Sequence, residues 1–325
     1  MPSLPVREIE ALSDNALRRH GATPEIAAEM ARAIGWAEAR GNRICGLYYL
    51  ESYCQQLQTG RVDGTAEPMI AQPRAAEIRV DAAHGFAQPA FASALPKALE
   101  AARSQGISSL SLHNAHTCTA LGYFTQQIAE EGCIGLGLTN ATPIVAPPGG
   151  RTRVIGTNPI SFAVPDGAGG VSMIFDQSTT TVALGRITMA KAAGEAIPEG
   201  WAIDAEGNPT TDPEAALSGS MVSSGGYKGW GIGLMVEILA ACLGGGTLSR
   251  DVKPLKAPEG DPHDLGQYFI LIHPQNVAFF ERVSQLAGFV AEDAGCRMPG
   301  QGKAPSDVAE VPDALFQQLQ DLAGV

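Results

Sequence analysis

Apolar and polar residues recur along this chain with two different periods, and the two periods alternate. Helical spacing of the apolar residues predicts helices over about residues 24–40, 47–57, 89–102, 121–131 and 231–243. Strict alternation or short apolar runs predict strands over about residues 77–81, 107–112, 134–139, 171–175 and 268–272. Because strands and helices follow one another in turn, the pattern predicts an α/β fold.

Glycine- and proline-rich stretches interrupt this pattern at residues 143–151, 194–213 and 254–263. A recognisable element follows each stretch, so we expect long surface loops rather than linkers between separate units. The length of 325 residues and the apolar content of 45% allow a large buried core.

Charge and cysteine content narrow the class of protein. The formal net charge of -12 disfavours nucleic acid or an anionic membrane as a partner, and an anionic substrate would need a local cluster of positive charge. The N-terminal segment lacks the apolar core of a signal peptide and no stretch is long enough to span a membrane, so we expect a cytoplasmic protein. The six scattered cysteines contain no CxxC pair, which favours reduced thiols and implies no metal site.

His116 is the first candidate for chemistry, because it follows a predicted strand that ends at Leu112. Ligands collect at such strand ends in α/β proteins, and an imidazole can give a proton to a developing alkoxide and take it back. The alternative is a structural histidine.

Lys228 is the second candidate. It stands between glycines at the start of a predicted helix, where an ammonium group and free backbone N–H groups would suit a phosphate or a carboxylate. The alternative is a solvated surface lysine. The GxGxxG fingerprint of dinucleotide-binding proteins is missing, so these residues alone do not identify a nicotinamide site.

Seven stretches together carry more information than any single motif. In this order they resemble the type-2 malate/L-lactate dehydrogenase family, and the likeness extends from about residue 20 to residue 300. The family also includes ureidoglycolate, sulfolactate and diketogulonate oxidoreductases and the reductases of cyclic imino acids. The stretches are Asn114-Ala-His116, Thr139-Asn140-Ala-Thr-Pro143 with Pro147-Pro-Gly-Gly150, Gly156-Thr-Asn-Pro-Ile160, Asp176-Gln-Ser178, Ile197-Pro-Glu-Gly-Trp201, Gly207-Asn-Pro-Thr-Thr-Asp212 and Gly226-Tyr-Lys228-Gly229.

The resemblance implies an atypical, non-Rossmann NAD(P)-binding fold, in which helices flank a mixed sheet. It implies a helical N-terminal lobe for substrate and dimer contacts over residues 1–75, with residues 285–325 packing back on it. The NAD(P)-binding α/β region would cover residues 76–284. The protein would form a homodimer whose active site lies near the subunit interface.

The resemblance also assigns roles to individual residues. His116 would be the catalytic acid and base, and Thr157 would line the substrate site. The residues that would hold NAD or NADP are Thr117, Cys118, Thr119, Ala120, Leu121, Asn140, Asp176, Gln177, Ser178 and Lys228.

The chain departs from the family on the substrate side. Members commonly carry Ser-His-Gly with an arginine three positions after the glycine, and here the serine, histidine and arginine correspond to Ile44, Cys45 and Tyr49. A thiol is a poor substitute for an imidazole in proton transfer, and an aromatic ring cannot pair with a carboxylate as arginine does. Arg43 or Arg186 could supply the missing charge, and Tyr48 or Tyr49 a hydrogen bond; the alternative for each arginine is a solvated side chain.

The resulting hypothesis is an NAD(P)-dependent oxidoreductase that transfers a hydride between nicotinamide and C2 of a small 2-hydroxy or 2-oxo acid. One alternative is a reductase of a cyclic 2-imino acid, although the imino-acid reductases place an acidic residue where this chain has Arg186. Another alternative is a paralogue that binds the nucleotide without catalysis. The substrate would be a small carboxylate.

Overall fold

Local sequence signals set the ends of the helices in the computed structural model, which describes residues 2–302 and 304–325. Thr23 caps the second helix by accepting a hydrogen bond from the backbone N–H of Ile26 at 3.4 Å, and Pro24 takes the first helical position. Gly106, with a left-handed φ of 84°, ends the fourth helix. The helices are α1 (Val6–Arg19), α2 (Pro24–Ala39), α3 (Leu50–Thr59), α4 (Ala87–Gln105), α5 (Gly122–Glu130), α6 (Leu184–Ala193), α7 (Pro213–Ser218), α8 (Tyr227–Glu237), α9 (Phe279–Val290) and α10 (Asp313–Ala323).

The strands form one large sheet and two small ones. The large sheet has seven strands in the order β2-β3-β4-β11-β5-β6-β7, a second sheet has the order β10-β8-β9, and β1 pairs with β12. The strands are β1 (Ser3–Pro5), β2 (Met69–Arg74), β3 (Glu77–Asp81), β4 (Ile107–Ala115), β5 (Ile134–Thr139), β6 (Ile160–Pro165), β7 (Val171–Gln177), β8 (Ala202–Ile203), β9 (Pro209–Thr210), β10 (Ser220–Met221), β11 (Leu265–Ile272) and β12 (Val308–Glu310).

The large sheet is mixed, and its strand directions bring several segments to one edge. Strands β3 and β4 are parallel, whereas β11 runs antiparallel to both β4 and β5. The β5-β6 and β6-β7 pairs are antiparallel. Strands β3, β4, β5 and β7 therefore end at the same edge of the sheet, and β6 and β11 begin there.

Three hydrophobic clusters stabilise this arrangement. The first packs α4 and α5 against the large sheet, around Phe91, Phe124 and Phe269. The second joins α1, α2, α3 and α10 in a helical layer, and the third lies between the small β10-β8-β9 sheet and the helices around it. The C-terminal helix α10 thus packs against N-terminal helices, while the division of the chain at residue 75 stays a prediction.

The predicted α/β class and the mixed sheet flanked by helices are confirmed. Strands β3 and β5 have the predicted bounds, whereas the helix predicted over 231–243 begins at Tyr227 and widens into a π-helical segment at Ile238–Leu243. The segment predicted as a loop over 194–213 contains β8 and β9, and these short strands are too brief to give a period of their own. None of the helices in the described residues is both long and apolar enough to cross a membrane.

Candidate active site

One edge of the large sheet collects the candidate residues. His116 follows β4, Asn140 follows β5, Asp176 lies at the end of β7, and Thr157 precedes β6. In the described chain, the residues other than glycine with positive φ all lie next to this edge or in the loop after β4. They are Ala83, His84, Asn114, Thr119 and Asn158. Such strained backbone is characteristic of functional sites.

The His116 side chain is buried against aromatic rings, with 1% of its surface exposed. The rings of Tyr53, Phe86 and His263 lie within 5.6, 5.4 and 4.5 Å of the imidazole, measured between centroids. Its Nε2 atom lies 2.7 Å from Oε1 of Gln56. The imidazole is therefore buried, with Gln56 as a polar side-chain partner.

Burial is the largest cause that lowers the pKa of His116 well below its usual value, and the neighbouring His263 and Arg61 lower it further. A backbone contact with Thr117 acts in the opposite direction. Burial and then Arg61 lower the pKa of His263 to about 4. Both imidazoles are therefore neutral near pH 7.

Asp176 joins the end of β7 to the start of α5. Its Oδ2 atom accepts a hydrogen bond from the backbone N–H of Gly122 at 2.8 Å. Protein atoms crowd this carboxylate although the residue still reaches solvent, and desolvation raises its pKa to about 6 despite the backbone hydrogen bonds from Gly122 and Leu121. Asp176 is therefore both packed and open to solvent, and the loop from Thr117 to Leu121 connects it to His116.

Backbone pairing brings the segment after Asp176 towards Lys228. Thr181 donates its backbone N–H to the carbonyl of Val222, and Ser224 donates to the carbonyl of Thr179, both at 2.9 Å. The hydroxyl groups of Ser178 and Thr180 lie 2.8 Å apart. Gln177 is exposed beside them. Lys228 lies in the first turn of α8, shortly after Ser224, and its side chain is exposed.

A buried cluster of hydrogen-bonded polar groups fixes the segment that contains Thr157. The amide of Asn158 donates to Oε2 of Glu237 at 2.8 Å, and Ser249 donates both its hydroxyl and its backbone N–H to the same carboxylate, each at 2.6 Å. The Thr157 carbonyl accepts the backbone N–H and the hydroxyl of Thr179, each at 2.9 Å. Thr157 is thereby tied to the strand end that carries Asp176.

Asn140 is placed at the same edge, but its side chain is engaged with the backbone. Its amide nitrogen donates to the carbonyl of Thr247 at 2.7 Å, and its Oδ1 atom accepts the backbone N–H of Gly266 at 3.1 Å. The residue is buried. Its contact with a cofactor stays a prediction.

Cys45 and Tyr49 lie between Asp176 and His116. Burial, followed by the charge of Asp176, raises the pKa of the Cys45 thiol to about 12. Burial also raises the pKa of Tyr49 to about 12, and its ring stacks on Tyr53 at 5.8 Å. Both groups are therefore uncharged at neutral pH, and the Cys45 thiol is a weak acid and a poor nucleophile there.

The two candidate arginines are exposed to solvent. Arg43 pairs with Glu310 at 3.6 Å, and both side chains are exposed. Arg186 lies over the Trp201 ring at 5.5 Å, in the first turn of α6, where a side chain at the neighbouring Gly185 would touch Ile44. Their roles in substrate binding stay predictions.

Three residues beside His116 carry no motif and were not predicted. Gln56 contacts the imidazole, His263 packs against its ring, and Arg61 is a fully buried guanidinium that donates to the carbonyls of Pro254, Ala257 and Asp261. A glutamine and an arginine near the end of an amphipathic helix are ordinary surface residues in sequence, so only their burial reveals them.

The exposed residues Asp176 and Lys228 fit a dinucleotide. The Asp176 carboxylate is an acceptor suited to ribose hydroxyl groups, and the exposed Lys228 at the start of α8 is suited to a phosphate. Because Asp176 already accepts from the first amide of α5, a phosphate fits better at α8 than at α5.

Comparison with known proteins agrees with this geometry. A sequence profile described as malate/L-lactate dehydrogenase matches residues 4–305. The chain is 36% identical, over 99% of its length and 97% of the relative, to the Delta(1)-pyrroline-2-carboxylate/Delta(1)-piperideine-2-carboxylate reductase of Pseudomonas putida. It is 35% identical to the (2R)-3-sulfolactate dehydrogenase (NADP(+)) of Chromohalobacter salexigens, over 98% of the chain and 97% of the relative.

Solved structures give the same result. The delta1-piperideine-2-carboxylate reductase of Pseudomonas syringae superposes with a TM-score of 0.91 at 31% identity, over 99% of this chain and 100% of the other. The sulfolactate dehydrogenase of Methanocaldococcus jannaschii superposes with a TM-score of 0.92 at 27% identity, over 99% and 97%. The chain belongs to the malate/L-lactate dehydrogenase family.

Proposed function

We propose that the protein transfers a hydride between NAD(P)H and C2 of a small 2-oxo or 2-hydroxy acid, with His116 exchanging the proton. The chain is an oxidoreductase of a family whose relatives include an NADP(+)-dependent dehydrogenase. The observation that carries the assignment is the neutral, buried imidazole of His116, which a five-residue loop joins to the helix start held by Asp176.

The nicotinamide supplies the hydride chemistry when it is bound. Asp176, Gln177 and Ser178 at the end of β7 and Lys228 at the start of α8 would hold the dinucleotide. The loop formed by Thr117, Cys118, Thr119, Ala120 and Leu121 would lie along it. The neutral imidazole of His116 accepts the proton of the C2 hydroxyl during oxidation and returns it during reduction. The surrounding rings of Tyr53 and Phe86 exclude water from this proton transfer.

Substrate binding involves the segment where the chain departs from its family. Tyr49 and Thr157 would contact the substrate with neutral hydrogen-bonding groups, and Cys45 would add an uncharged thiol to the wall. The carboxylate would then need Arg43, which precedes Ile44 in the chain, or Arg186, which follows a glycine that lies near Ile44. A site with an aromatic ring in place of the usual arginine favours a substrate other than plain malate or lactate.

A second candidate is the reduction of a cyclic 2-imino acid. The Tyr49 ring, stacked on Tyr53, presents an apolar surface that suits a five- or six-membered ring. The relatives named pyrroline-2-carboxylate or piperideine-2-carboxylate reductase support the same possibility. The presence of Arg186 in place of an acidic residue opposes it.

The proposal includes a cytoplasmic homodimer. Six free cysteines, four of them partly or fully buried, are consistent with a reducing compartment. Large apolar side chains are exposed three residues apart from α8 into the start of the π-helical segment, with one more near its end, a pattern suited to packing against a second copy. These residues are Ile232, Met235, Ile238 and Leu243.

The experiment is a substrate panel with two variants. Oxidation of NADH and NADPH is followed with pyruvate, oxaloacetate, sulfopyruvate, 2-oxoglutarate, piperideine-2-carboxylate and pyrroline-2-carboxylate. His116→Ala should lower kcat/KM on the preferred substrate by about 10²- to 10⁴-fold. His20→Ala, which removes a histidine from the end of α1, should leave the rate unchanged. Full turnover by His116→Ala would refute the assignment, and cofactor binding without turnover on any substrate would favour the non-catalytic alternative.

A further inference from the structure

Gln56 makes the hydrogen bond that defines the state of the His116 ring. Its Oε1 atom lies 2.7 Å from Nε2 of His116, while Nδ1 of the imidazole is buried and makes no hydrogen bond of normal geometry within residues 2–302 and 304–325. The Thr117 backbone also interacts with the ring, and its effect on the pKa of His116 is the smallest of the four. The two ring nitrogens therefore differ in their surroundings. Which nitrogen carries the proton depends on whether Gln56 presents an acceptor or a donor to Nε2.

The hydrogen bonds of the Gln56 amide nitrogen decide which atom of the amide faces His116. Its nitrogen lies 2.8 Å from the carbonyl oxygen of Leu255 and 2.7 Å from that of Ala257. Carbonyl oxygens only accept hydrogen bonds, so both places require the NH₂ group of the amide. A flipped amide would put its oxygen against two carbonyl oxygens and lose both bonds. The oxygen of Gln56 consequently faces His116, where it can only accept.

The two carbonyls that orient Gln56 are themselves fixed. Arg61 donates to the carbonyl of Pro254 at 3.0 Å, to that of Asp261 at 3.2 Å, and to that of Ala257. Thr59 donates to the carbonyl of Pro258 at 2.7 Å. The segment 254–261 is thus fastened to α3 and the turn after it on both sides of the contacts with Gln56. Rotation of the Gln56 amide would require this segment to move.

We propose that Gln56 is a positioning residue that holds neutral His116 with its proton on Nε2, so that Nδ1 is the atom that exchanges a proton with the substrate. The inference rests on the proposed function of His116. In oxidation the C2 hydroxyl gives its proton to Nδ1 while the hydride leaves from C2 to the nicotinamide. The resulting imidazolium keeps its Nε2–H bonded to Gln56. In reduction the Nδ1 proton returns to the substrate oxygen and the hydride returns to C2.

The charged groups around the imidazole agree with this role. His263, Arg61 and Tyr53 are charged or titratable neighbours on the packed elements. His263 and Arg61 disfavour the imidazolium, and burial keeps Tyr53 neutral by raising its pKa well above the usual value. A neutral acceptor such as the Gln56 oxygen stabilises the imidazolium only modestly. A carboxylate in its place would retain the proton more strongly, so the amide keeps His116 able to release it.

The direct test is the tautomer of His116 in the wild-type protein. Histidine is labelled with ¹⁵N, and the ring resonance of His116 is identified among the six histidines by its loss in His116→Ala. Long-range ¹H–¹⁵N correlation at pH 8 should show a protonated Nε2 and an unprotonated Nδ1. A protonated Nδ1 in the neutral ring would overturn the inference, and it would leave the substrate-panel result for His116 untouched.

A pair of variants tests the effect on catalysis. Gln56→Met removes the acceptor, and we expect mixed tautomers and a kcat lowered about 10- to 100-fold, as when other hydrogen-bond partners that orient a histidine are removed. Gln55→Met is the matched control, because it makes the same substitution at an exposed neighbour on α3 whose amide bonds Glu51 and not His116. Equal kcat for Gln56→Met and Gln55→Met, with an unchanged tautomer, would overturn the positioning role. If the wild type turns over none of the substrates, that result instead counts against the proposed function alone.

Discussion

At the scale of single residues, the surroundings of His116 bear on whether the proposed reaction favours oxidation or reduction. The imidazole is buried among Tyr53, Phe86 and His263, and its pKa lies well below the usual value because of burial and the neighbouring His263 and Arg61. A neutral imidazole is ready to accept a proton. In the proposed reaction, the free enzyme is therefore ready for oxidation, and reduction requires the rarer protonated form of His116.

This state predicts opposite pH dependences for the two directions. A low pKa makes the imidazolium a minor species whose fraction grows tenfold for each unit that the pH falls. Between pH 8 and pH 6, kcat/KM for reduction of a 2-oxo acid should therefore rise about tenfold per unit as the pH falls. The kcat/KM for oxidation should stay level across the same range, because His116 is already neutral there.

Initial rates in both directions measure this, with deuterated NAD(P)H used to verify that hydride transfer limits the rate. The His20→Ala variant serves as the control and should show the wild-type profile. A reduction rate that stays level or falls as the pH drops would contradict the assignment of a low pKa to the proton donor.

At the scale of elements, the predictions succeeded where the pattern is local. Strand β3, helix α2 and strand β5 each carry their own period or cap within a short window. The position of β11 between β4 and β5 is different, because it depends on pairing across more than a hundred residues. No local pattern contains that information.

Prediction of the candidate site from the sequence has the same limit. His116, Asp176 and Lys228 were found through motifs in family order, whereas Gln56 and Arg61 belong to no motif. Their importance arises from the segment 254–261, which is about two hundred residues away in the chain and offers backbone carbonyls rather than side chains. Backbone acceptors exist at every residue, so the sequence does not mark the ones that are used.

Close packing of β11 against the π-helical segment provides a test at this scale. A Cβ atom at Gly266 would overlap the carbonyl oxygen of Ala240, and the register of β11 shifts beside this glycine. Gly266→Ala should lower the free energy of unfolding by about 1–3 kcal/mol through overpacking. It should also lower activity, because Gly266 donates to the side chain of Asn140 at the edge of the site.

Gly288→Ala in α9 is the matched control. A Cβ atom there meets no other atom within 4 Å, so the substitution should raise the free energy of unfolding by about 0.4–1 kcal/mol. Urea denaturation followed by circular dichroism measures both variants. Equal midpoints for the two alanine variants would show that the approach of β11 to the π-helical segment does not constrain residue 266.

At the scale of the whole molecule, the two functional parts of the chain meet on α8. Its first turn carries Lys228, and its later turns carry the exposed Ile232 and Met235, which Ile238 follows at the start of the π-helical segment. A protein with a net charge of -12 repels its own copies at long range, so self-association would need an apolar contact such as this one. If the face is the dimer interface, the second copy also holds in place the helix start that is proposed to bind a phosphate.

Ile238→Glu should therefore change assembly and cofactor binding together. A carboxylate on the apolar face would be desolvated without a partner in the dimer, which should shift the protein to monomers in sedimentation velocity. Because α8 then loses its support, the KM for the cofactor should rise at least severalfold, while the His116 pH profile keeps its shape. Val277→Glu places the same charge on a fully exposed loop residue and should change neither property. A wild-type monomer would refute the dimer, and a dimer that survives Ile238→Glu would place the interface on a different surface from α8.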